Sequence, residues 1–370
     1  MGRILFIFGT RPEAVKLCPL VRYLRERPND FEAKVCVTAQ HRVMLDQVLE
    51  AFGVAADFDL DLMQAGQSLC GLTARIVAAL EAVLCKEQPD LVVVQGDTTT
   101  TLAAALAAFY HQIDVAHIEA GLRTGDMRQP FPEEMNRVLT SRIAALHFAP
   151  TAGAAAALLR EGVASERIFV TGNTGIDAVL WVLRALDEGA LDVPSWPWLD
   201  PSKRLILVTS HRRENFGPGF DQVMRALARV AERPDVQIVY PVHRNPRVLG
   251  PAHEILAGVP NVVLLDPLPY IPFVDLMRRA WTIITDSGGI QEEAPSLGKP
   301  VLVLREKTER PEAVEAGTVK LVGTGEERIV GETVRLLEDQ AEYTRMTRIH
   351  NPYGDGHACE RIARVLAARG

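Results

Sequence analysis

The stretch TDSGGIQEEAPSLGKP, residues 285–300, follows directly on the apolar run at residues 281–284. The order of residue types predicts a strand, a turn at Gly288 and Gly289, and then a helix that opens with Glu292 and Glu293. Free backbone N–H groups at a helix start favour a phosphate. A carboxylate one turn further in suits the paired hydroxyls of a ribose. The stretch therefore predicts a nucleotide-binding turn between a strand and a helix.

Short β-rich runs alternate with longer helical stretches along the rest of the chain. The runs are apolar throughout rather than alternating, as expected of parallel strands covered on both faces. Their spacing fits repeated βα units. They lie at residues 4–8, 34–38, 91–95, 115–119, 146–149 and 168–171 in the first half, and at 205–209, 237–241, 262–265, 282–285, 301–304 and 319–322 in the second.

This pattern predicts an α/β protein with two Rossmann-like, doubly wound domains and a ligand between them. The 370 residues suffice for about two domains. The segment 187–204 contains three prolines and no clear period, so we predict a linker there. The predicted parts are an N-terminal domain with the catalytic carboxylates at residues 1–186, a C-terminal domain with the nucleotide at 205–350, and a helix at 351–370 that packs back on the N-terminal domain.

Composition narrows the class of protein. Hydrophobic residues make up 48% and charged residues 24%, which is ordinary for a soluble globular protein. The net charge of −7 argues against a general nucleic-acid surface. Five cysteines without a CxxC pair favour a reducing compartment, and no apolar run is long enough for a signal segment or a membrane span. We therefore expect a cytoplasmic protein. We also expect no structural metal, because His211 and His243 lack cysteines or carboxylates at a metal-binding spacing.

Three carboxylate positions in the first half follow predicted strands or open predicted helices. Asp97 follows a strand and a glycine, Glu119 ends a strand, and Glu133 opens a helix. Ligands gather at the carboxyl ends of parallel strands, so these carboxylates are expected to converge. Each has a structural alternative that the sequence leaves open. These are a helix cap for Asp97, an ion pair with Arg123 for Glu119, and an ion pair with Arg137 for Glu133.

Basic side chains stand near the same predicted strand ends. In FGTRPEAVKL, a capping box of Thr10 and Glu13 explains the helix start, whereas Arg11 opposes the helix dipole and predicts a bound phosphate. This turn lacks GxGxxG, which counts against a dinucleotide cofactor. His211 leads a basic cluster directly after a strand, where a functional role is favoured over a structural one. Arg310 lies in a charged run whose alternative explanation is a solvated surface.

Taken together, these motifs resemble the non-hydrolysing UDP-N-acetylglucosamine 2-epimerases. They occur in order from residue 8 to beyond residue 320, and NPYGDG near the C-terminus fits as well. The resemblance implies the two-domain glycosyltransferase-B architecture, usually as a homodimer, with a UDP-sugar bound in the cleft. It also implies reversible conversion of UDP-GlcNAc to UDP-ManNAc for cell-surface polysaccharide, without a metal or nicotinamide. The matching motifs are GTRPEAVKL, QGDTTTT, HIEAGLRTG, PEEMNR, SHRREN, DSGGIQEEAPSLGKPVLVLR and TERPEAVEAGT.

The resemblance assigns roles to residues of this sequence. Proton removal and return at C2 are assigned to carboxylates, and stabilisation of the leaving diphosphate to a histidine; which carboxylate is the base stays open. The implied catalytic residues are Asp97, Glu119, Glu133 and His211. The implied UDP-sugar contacts are Arg11, Lys16, Arg137, His243, Phe273, Ser287, Gly288, Gly289, Glu293 and Arg310. A second, activating UDP-GlcNAc molecule is implied to contact Gln40, His41, Gln67, Glu134 and Arg212.

Other functions remain open at this point. The same chemistry on another UDP-sugar, such as a UDP-diacetamido-uronic acid, requires the same residues. A glycosyltransferase of the same architecture usually needs one base, so three carboxylate positions favour proton transfer at C2. A hydrolysing epimerase would release free sugar, and a UDP-sugar sensor would bind without turnover.

Overall fold

The computed structural model describes residues 2–38, 42–64, 66–308, 310–348 and 351–369. Gln40 and His41, two of the predicted activator contacts, lie outside the described residues. The chain divides into two compact units, Met1–Ala178 with Tyr353–Gly370 and Val179–Pro352. Within the described ranges, no helix combines the length and the apolar composition needed to cross a bilayer.

The first unit is built on a parallel sheet rich in β-branched and aromatic residues. Its described strands are β1 (Gly2–Phe8), β2 (Phe31–Val37), β3 (Phe58–Asp59), β4 (Leu91–Gln95), β5 (Asp114–Ile118), β6 (Leu146–Ala149) and β7 (Ile168–Val170). The strand order is β3–β2–β1–β4–β5–β6–β7, and every strand pair is parallel. Strand order therefore reverses beside β1, which places a topological switch point between β1 and β4.

Helices connect these strands, as parallel pairing requires. They are α1 (Arg11–Arg25), α2 (Arg42–Ala51), α3 (Leu69–Glu87), α4 (Thr99–Tyr110), α5 (Glu133–Ile143) and α6 (Ala152–Arg160). A further helix, α7 (Thr174–Asp187), follows β7, and its residues from Val179 onward belong to the second unit. The small side chains Ala103, Ala104 and Ala107 of α4 are buried in the core that α3 also lines. Alanine allows this close packing while it favours the helix.

The second unit repeats the arrangement. Its strands are β8 (Arg204–Thr209), β9 (Val236–Pro241), β10 (Val262–Leu265), β11 (Thr282–Thr285), β12 (Val301–Val303) and β13 (Val319–Leu321). The order β10–β9–β8–β11–β12–β13 reverses beside β8. The helices are α8 (Pro218–Ala231), α9 (Pro246–Leu256), α10 (Tyr270–Arg279), α11 (Gly288–Glu293), α12 (Pro311–Ala316), α13 (Glu326–Glu338) and α14 (Gln340–Thr347). Two parallel-sheet α/β units confirm the predicted fold class.

The N-terminal part of the first unit ends at Ala178, whereas the predicted N-terminal domain extends to residue 186. Residues 187–204, predicted to be a linker, belong to the second unit. There the indole of Trp196 donates to Asp275 at 2.7 Å, and the Gln237 amide donates to the Trp198 carbonyl at 2.7 Å. The last helix, α15 (Ala358–Ala367), belongs to the first unit. Asp177 of α7 accepts hydrogen bonds from the first backbone N–H groups of α15.

Candidate active site

The turns at the carboxyl ends of β1, β4 and β5 carry several site residues of the first unit. The buried carboxylate of Glu13 joins two of these turns. Its Oε2 atom accepts the N–H of Gly9 at 3.1 Å and of Thr10 at 2.8 Å, after β1. Its Oε1 atom accepts the hydroxyls of Thr98 at 2.7 Å and Thr101 at 3.2 Å, after β4. Glu13 therefore does more than complete a capping box: it ties the two turns at the switch point together.

Glu119 ends β5 and stands in a polar cluster. Its side chain forms an ion pair with Lys16, accepts the Gln95 amide at 2.5 Å and accepts the Asn173 amide at 3.2 Å. The backbone of Glu119 is left-handed, with a φ of 63°, which costs about 1 kcal/mol for a residue with a side chain. Such strain is commonly stored at functional sites. Glu119 thus has three donors around a mostly buried carboxylate.

The predicted alternative for Glu119, an ion pair with Arg123, is wrong. Arg123 instead donates to Glu161 at 2.7 and 3.0 Å and to Ser141 at 2.9 Å. Glu119 forms its ion pair with Lys16, which lies one turn into α1.

Asp97 follows Gly96, whose φ of 71° suits a residue without a side chain. Its carboxylate pairs with Arg137 at 2.7 Å. Burial raises the pKa of Asp97 to about 6. The negative charges of Glu119 and Glu133 also raise this pKa, whereas the positive charge of Arg137 lowers it. Asp97 therefore lies close enough to Glu119 and Glu133 for their charges to raise its pKa. Asp97 is consequently the member of the cluster poised to gain or lose a proton near neutral pH.

Glu133 and Glu134 open α5 but have different environments. The Oε2 atom of Glu133 is buried and lacks a hydrogen-bond partner among the described residues. The predicted ion pair between Glu133 and Arg137 is replaced by the pair of Arg137 with Asp97. Glu134 is buried, and its Oε1 atom accepts the N–H groups of Thr124 and Gly125, each at 3.0 Å. Glu134 thereby holds the loop that precedes α5.

A buried histidine supports the turn that carries Asp97. His117 of β5 lies 2.7 Å through Nε2 from the carbonyl of Gly96, which must be the acceptor. Burial lowers the pKa of His117 to about 3, and burial also lowers that of its sheet neighbour His147 to about 4. Both imidazoles are therefore neutral at pH 7, and the contact fixes the proton of His117 on Nε2.

In the second unit, the turns after β8 and β11 meet at a buried carboxylate. Asp286 has no exposed surface, and its Oδ2 atom accepts the N–H groups of His211 and Arg212, each at 2.8 Å. The Ser210 hydroxyl donates to the same oxygen at 2.9 Å. The His211 ring stacks on that of His243, with ring centres 5.4 Å apart. Thus the structure brings together the two predicted histidines.

The glycine turn that opened the sequence analysis begins α11, with Ser287 as its N-cap residue. A Cβ atom on Gly288 would lie 2.5 Å from Cζ of Arg310. Arg310 in turn donates to the buried Glu292 carboxylate at 2.6 Å. The absence of a side chain at residue 288 therefore lets a guanidinium lie against the backbone of this turn, where both favour an anion.

Glu293 lies beside this turn, with Gly289 nearby. A Cβ atom on Gly289 would lie 3.7 Å from the Glu293 carboxylate, which also accepts the Tyr270 hydroxyl at 3.4 Å. Tyr270 begins α10, and the partly buried Phe273 lies one turn further along it. The predicted diphosphate, ribose and base contacts thus fall on neighbouring elements of one unit.

The remaining predicted residues lie on the surface or at helix starts. Arg11 is the first residue of α1. Gln67 lies in the loop before α3, where its side-chain oxygen accepts from Arg75. Arg212 is partly buried, and its Nε atom has no hydrogen-bond partner among the described residues. His243 is exposed and accepts the Asn245 N–H at 3.1 Å.

Sequence reasoning missed three polar residues that shape the site: Gln95, Asn173 and Asp286. Asp286 carried a signal, because an aspartate directly after an apolar strand and before a glycine turn stands where ligands bind. The other two gave none, since their partners are distant in sequence. The described residues contain no group of three or more His, Cys, Asp or Glu side chains arranged to hold a metal ion.

Comparison with known proteins identifies the family. A family model described as UDP-N-acetylglucosamine 2-epimerase matches residues 23–367. The chain belongs to the UDP-N-acetylglucosamine 2-epimerase family. The UDP-N-acetylglucosamine 2-epimerase of Escherichia coli K12 is 58% identical to it over 369 residues, 98% of each chain. That of Campylobacter jejuni is 49% identical over 372 residues, 98% of this chain and 97% of the other.

Solved structures of this epimerase family agree. The UDP-GlcNAc 2-epimerase of Neisseria meningitidis bound to UDP-GlcNAc is 48% identical, with a TM-score of 0.92 over 99% of this chain and 100% of that one. The enzyme of Methanocaldococcus jannaschii in complex with UDP-GlcNAc and UDP is 35% identical, with a TM-score of 0.80 over the whole of both chains. The predicted family and enzyme class are thereby confirmed.

Proposed function

We propose that the protein interconverts UDP-GlcNAc and UDP-ManNAc by eliminating UDP and adding it back. The observation that carries this proposal is the cluster of three carboxylates with Lys16 and Arg137. A reaction that removes and returns a proton needs groups whose pKa values lie near the working pH. Asp97, with a pKa of about 6, meets that requirement.

The chemistry explains why several charged groups are needed. The C2 hydrogen of a sugar is not acidic, so a carboxylate does not remove it from the resting substrate. When the C1–O bond breaks, its electron pair leaves with UDP and positive charge develops at C1. The C2 proton then passes to a carboxylate and a 2-acetamidoglucal forms. Return of UDP to C1 and delivery of a proton to the opposite face of C2 complete the inversion.

Within this scheme the three carboxylates have distinct roles. Asp97 accepts the C2 proton in its ionised form. Glu119, which is held by Lys16 and two amides, places fixed negative charge near the carbon where positive charge develops. Glu133, with a buried oxygen that lacks a partner among the described residues, delivers the proton from the other face. In the reverse direction, Asp97 and Glu133 exchange these tasks.

The second unit binds the UDP moiety in this proposal. Ser287 and the glycine turn contact the diphosphate together with Arg310, because N–H groups and a guanidinium favour its charge. Glu293 accepts hydrogen bonds from the ribose hydroxyls, and Phe273 lies against the uracil. His211 and Arg11 stabilise the charge that develops on the leaving diphosphate.

The proposal extends to the state of the protein in the cell. We infer a homodimer that works without a cofactor in the cytoplasm and supplies ManNAc-type sugars for surface polysaccharide.

We also propose that a second UDP-GlcNAc molecule activates the enzyme through Gln67, Glu134 and Arg212. The loop that Glu134 holds leads into α5, so an activator there acts on the helix that begins with Glu133.

Product analysis tests the proposed function. Purified protein is incubated with UDP-GlcNAc, and the nucleotide sugars are separated by ion-exchange chromatography. We expect a UDP-linked C2 epimer and no free sugar. Glu119→Gln is expected to lower kcat by about 10²–10³-fold, whereas Glu161→Gln, outside the carboxylate cluster, retains activity. Free ManNAc as the product, or conversion of a UDP-diacetamido-uronic acid alone, would overturn the proposal.

A further inference from the structure

The buried Asp286 leaves one carboxylate oxygen unused. Three donors lie 2.8–2.9 Å from its Oδ2 atom. They are the backbone N–H groups of His211 and Arg212 and the hydroxyl of Ser210. The Asn215 amide reaches the same oxygen at 3.3 Å. The Oδ1 atom is buried and has no hydrogen-bond partner among the described residues. A buried carboxylate oxygen without a donor is costly, so a partner is expected.

The imidazole of His211 is in position to donate a hydrogen bond to Oδ1. Its Nδ1 atom lies 3.5 Å from Oδ1, whereas a charge-assisted hydrogen bond spans about 2.7–2.9 Å. A movement of roughly 0.7 Å closes that gap. Catalytic hydrogen bonds are often long in the absence of substrate and tighten when it binds.

The neighbouring ring limits how the imidazole can turn. His211 and His243 are stacked with an angle of 19° between their planes. With one face covered, the ring presents its Nδ1 edge to Asp286, and its Nε2 edge points to the other side. The His211 side chain is 40% exposed, so a ligand can reach the imidazole.

The charges around His211 define what the pair can do. Burial lowers the pKa of His211, the Asp286 carboxylate raises it, and His243 and Arg212 lower it. In the absence of a ligand the desolvated ring thus tends to be neutral. An anion at Nε2 adds a second negative charge on the opposite edge of the ring and favours a proton on both nitrogens.

We propose that Asp286 is a positioning residue that accepts the Nδ1–H of His211 and so presents Nε2–H as the donor to the leaving diphosphate. This inference rests on the proposed function, because it assigns the task of His211 within that reaction. Asp286 also anchors the backbone on which His211 stands, so one carboxylate fixes both the position of the residue and the orientation of its ring.

Asp286→Asn tests the proposal with little disturbance of the turn. The asparagine oxygen still accepts the two backbone N–H groups, while its NH2 group replaces the oxygen that faces Nδ1. We expect kcat to fall by at least about tenfold and KM to change by less than about threefold, because the lost interaction forms in the transition state. The matched control, Ser210→Ala, removes one donor to Oδ2 but leaves Oδ1 in place, and should keep kcat within about threefold of wild type.

Imidazole ¹⁵N NMR separates positioning from a purely structural role. In protein labelled at histidine and saturated with UDP, the His211 signals, assigned by comparison with His211→Gln, should show a proton on both nitrogens. In Asp286→Asn, Nδ1 should lose its proton. An unprotonated Nδ1 in UDP-bound wild type, or an unchanged kcat in Asp286→Asn, would overturn the proposal. This readout needs no turnover, so it decides the role of Asp286 even if the wild-type protein fails to epimerise UDP-GlcNAc.

Discussion

Replacing Arg137 with glutamine is expected to move the acid limb of the pH–activity profile upward. Asp97 must be ionised to accept the C2 proton, and its pKa is about 6 while Arg137 lies 2.7 Å away. Loss of a neighbouring cation raises a carboxyl pKa by about 1–3 units. A shift of the Asp97 pKa from about 6 to about 7 lowers the ionised fraction of Asp97 at pH 6 from roughly one half to roughly one eleventh. At pH 8, about nine tenths of Asp97 is still ionised.

The assay is kcat/KM for UDP-GlcNAc between pH 5 and pH 9, with each profile normalised to its own plateau. Normalisation removes the loss in substrate binding that Arg137→Gln also causes, so only the position of the limb is compared. Arg3→Gln, which removes an exposed ion pair with Asp90, serves as the control and should leave the limb near pH 6. A limb that stays in place in Arg137→Gln would refute the assignment of Asp97 as the titrating base.

Three further predictions concern stability and nucleotide binding. Glu13→Ala should lower the free energy of unfolding in urea by about 2–4 kcal/mol, because three buried donors and the partly buried Thr98 hydroxyl lose their acceptor. Glu13→Gln should lower it by less than half as much, and equal losses would contradict this. His117 and His147 have pKa values of about 3 and about 4 in the folded state, below the unfolded value. The unfolded chain thus binds more protons, and stability should fall as pH drops from about 6.5 towards 4, by up to about 1.4 kcal/mol per pH unit for each histidine. His147→Gln should have a shallower slope, and an unchanged slope would refute the account. Gly288→Ala should weaken UDP binding, measured by calorimetry, by at least about tenfold, because its methyl group would lie 2.5 Å from the Arg310 guanidinium. The control Gly331→Ala, which has open space around its added methyl group, should bind UDP as wild type does.

The fold was predictable because its signal is local. Each buried parallel strand is a short apolar run, and each helix between them supplies a period and a start signal. The turns after these strands were equally visible, since glycines and carboxylates such as Gly96, Asp97 and Ser287 stand at fixed offsets from strand ends. The sequence therefore indicated where along the chain these candidate residues stand before any tertiary contact was known.

The partners of these side chains were less predictable. Glu119 had Arg123 four residues away, but the structure pairs it with Lys16, more than 100 residues distant. Arg123 is drawn instead to Glu161 by the packing of α6. Several cations are equivalent in sequence, and only the geometry of the sheet decides which of them meets a given carboxylate.

The segment 187–204 shows a similar limit. Three prolines and the absence of a period look alike whether a segment is free or held against a domain. The segment is held by a hydrogen bond from the Trp196 indole to the buried carboxylate of Asp275. That carboxylate also pairs with Arg278 and Arg279, three and four residues further along the same helix.

The measurement that tests the central claim most directly is solvent exchange at C2. The protein is incubated with UDP-GlcNAc in D2O, and the nucleotide sugar is followed by proton NMR. Elimination and re-addition through the carboxylate cluster predict a UDP-linked ManNAc signal, together with loss of the C2 proton signal from both epimers as deuterium enters. Epimerisation that keeps the C2 proton would contradict the account, because the proton would then never have passed to a carboxylate that exchanges with solvent.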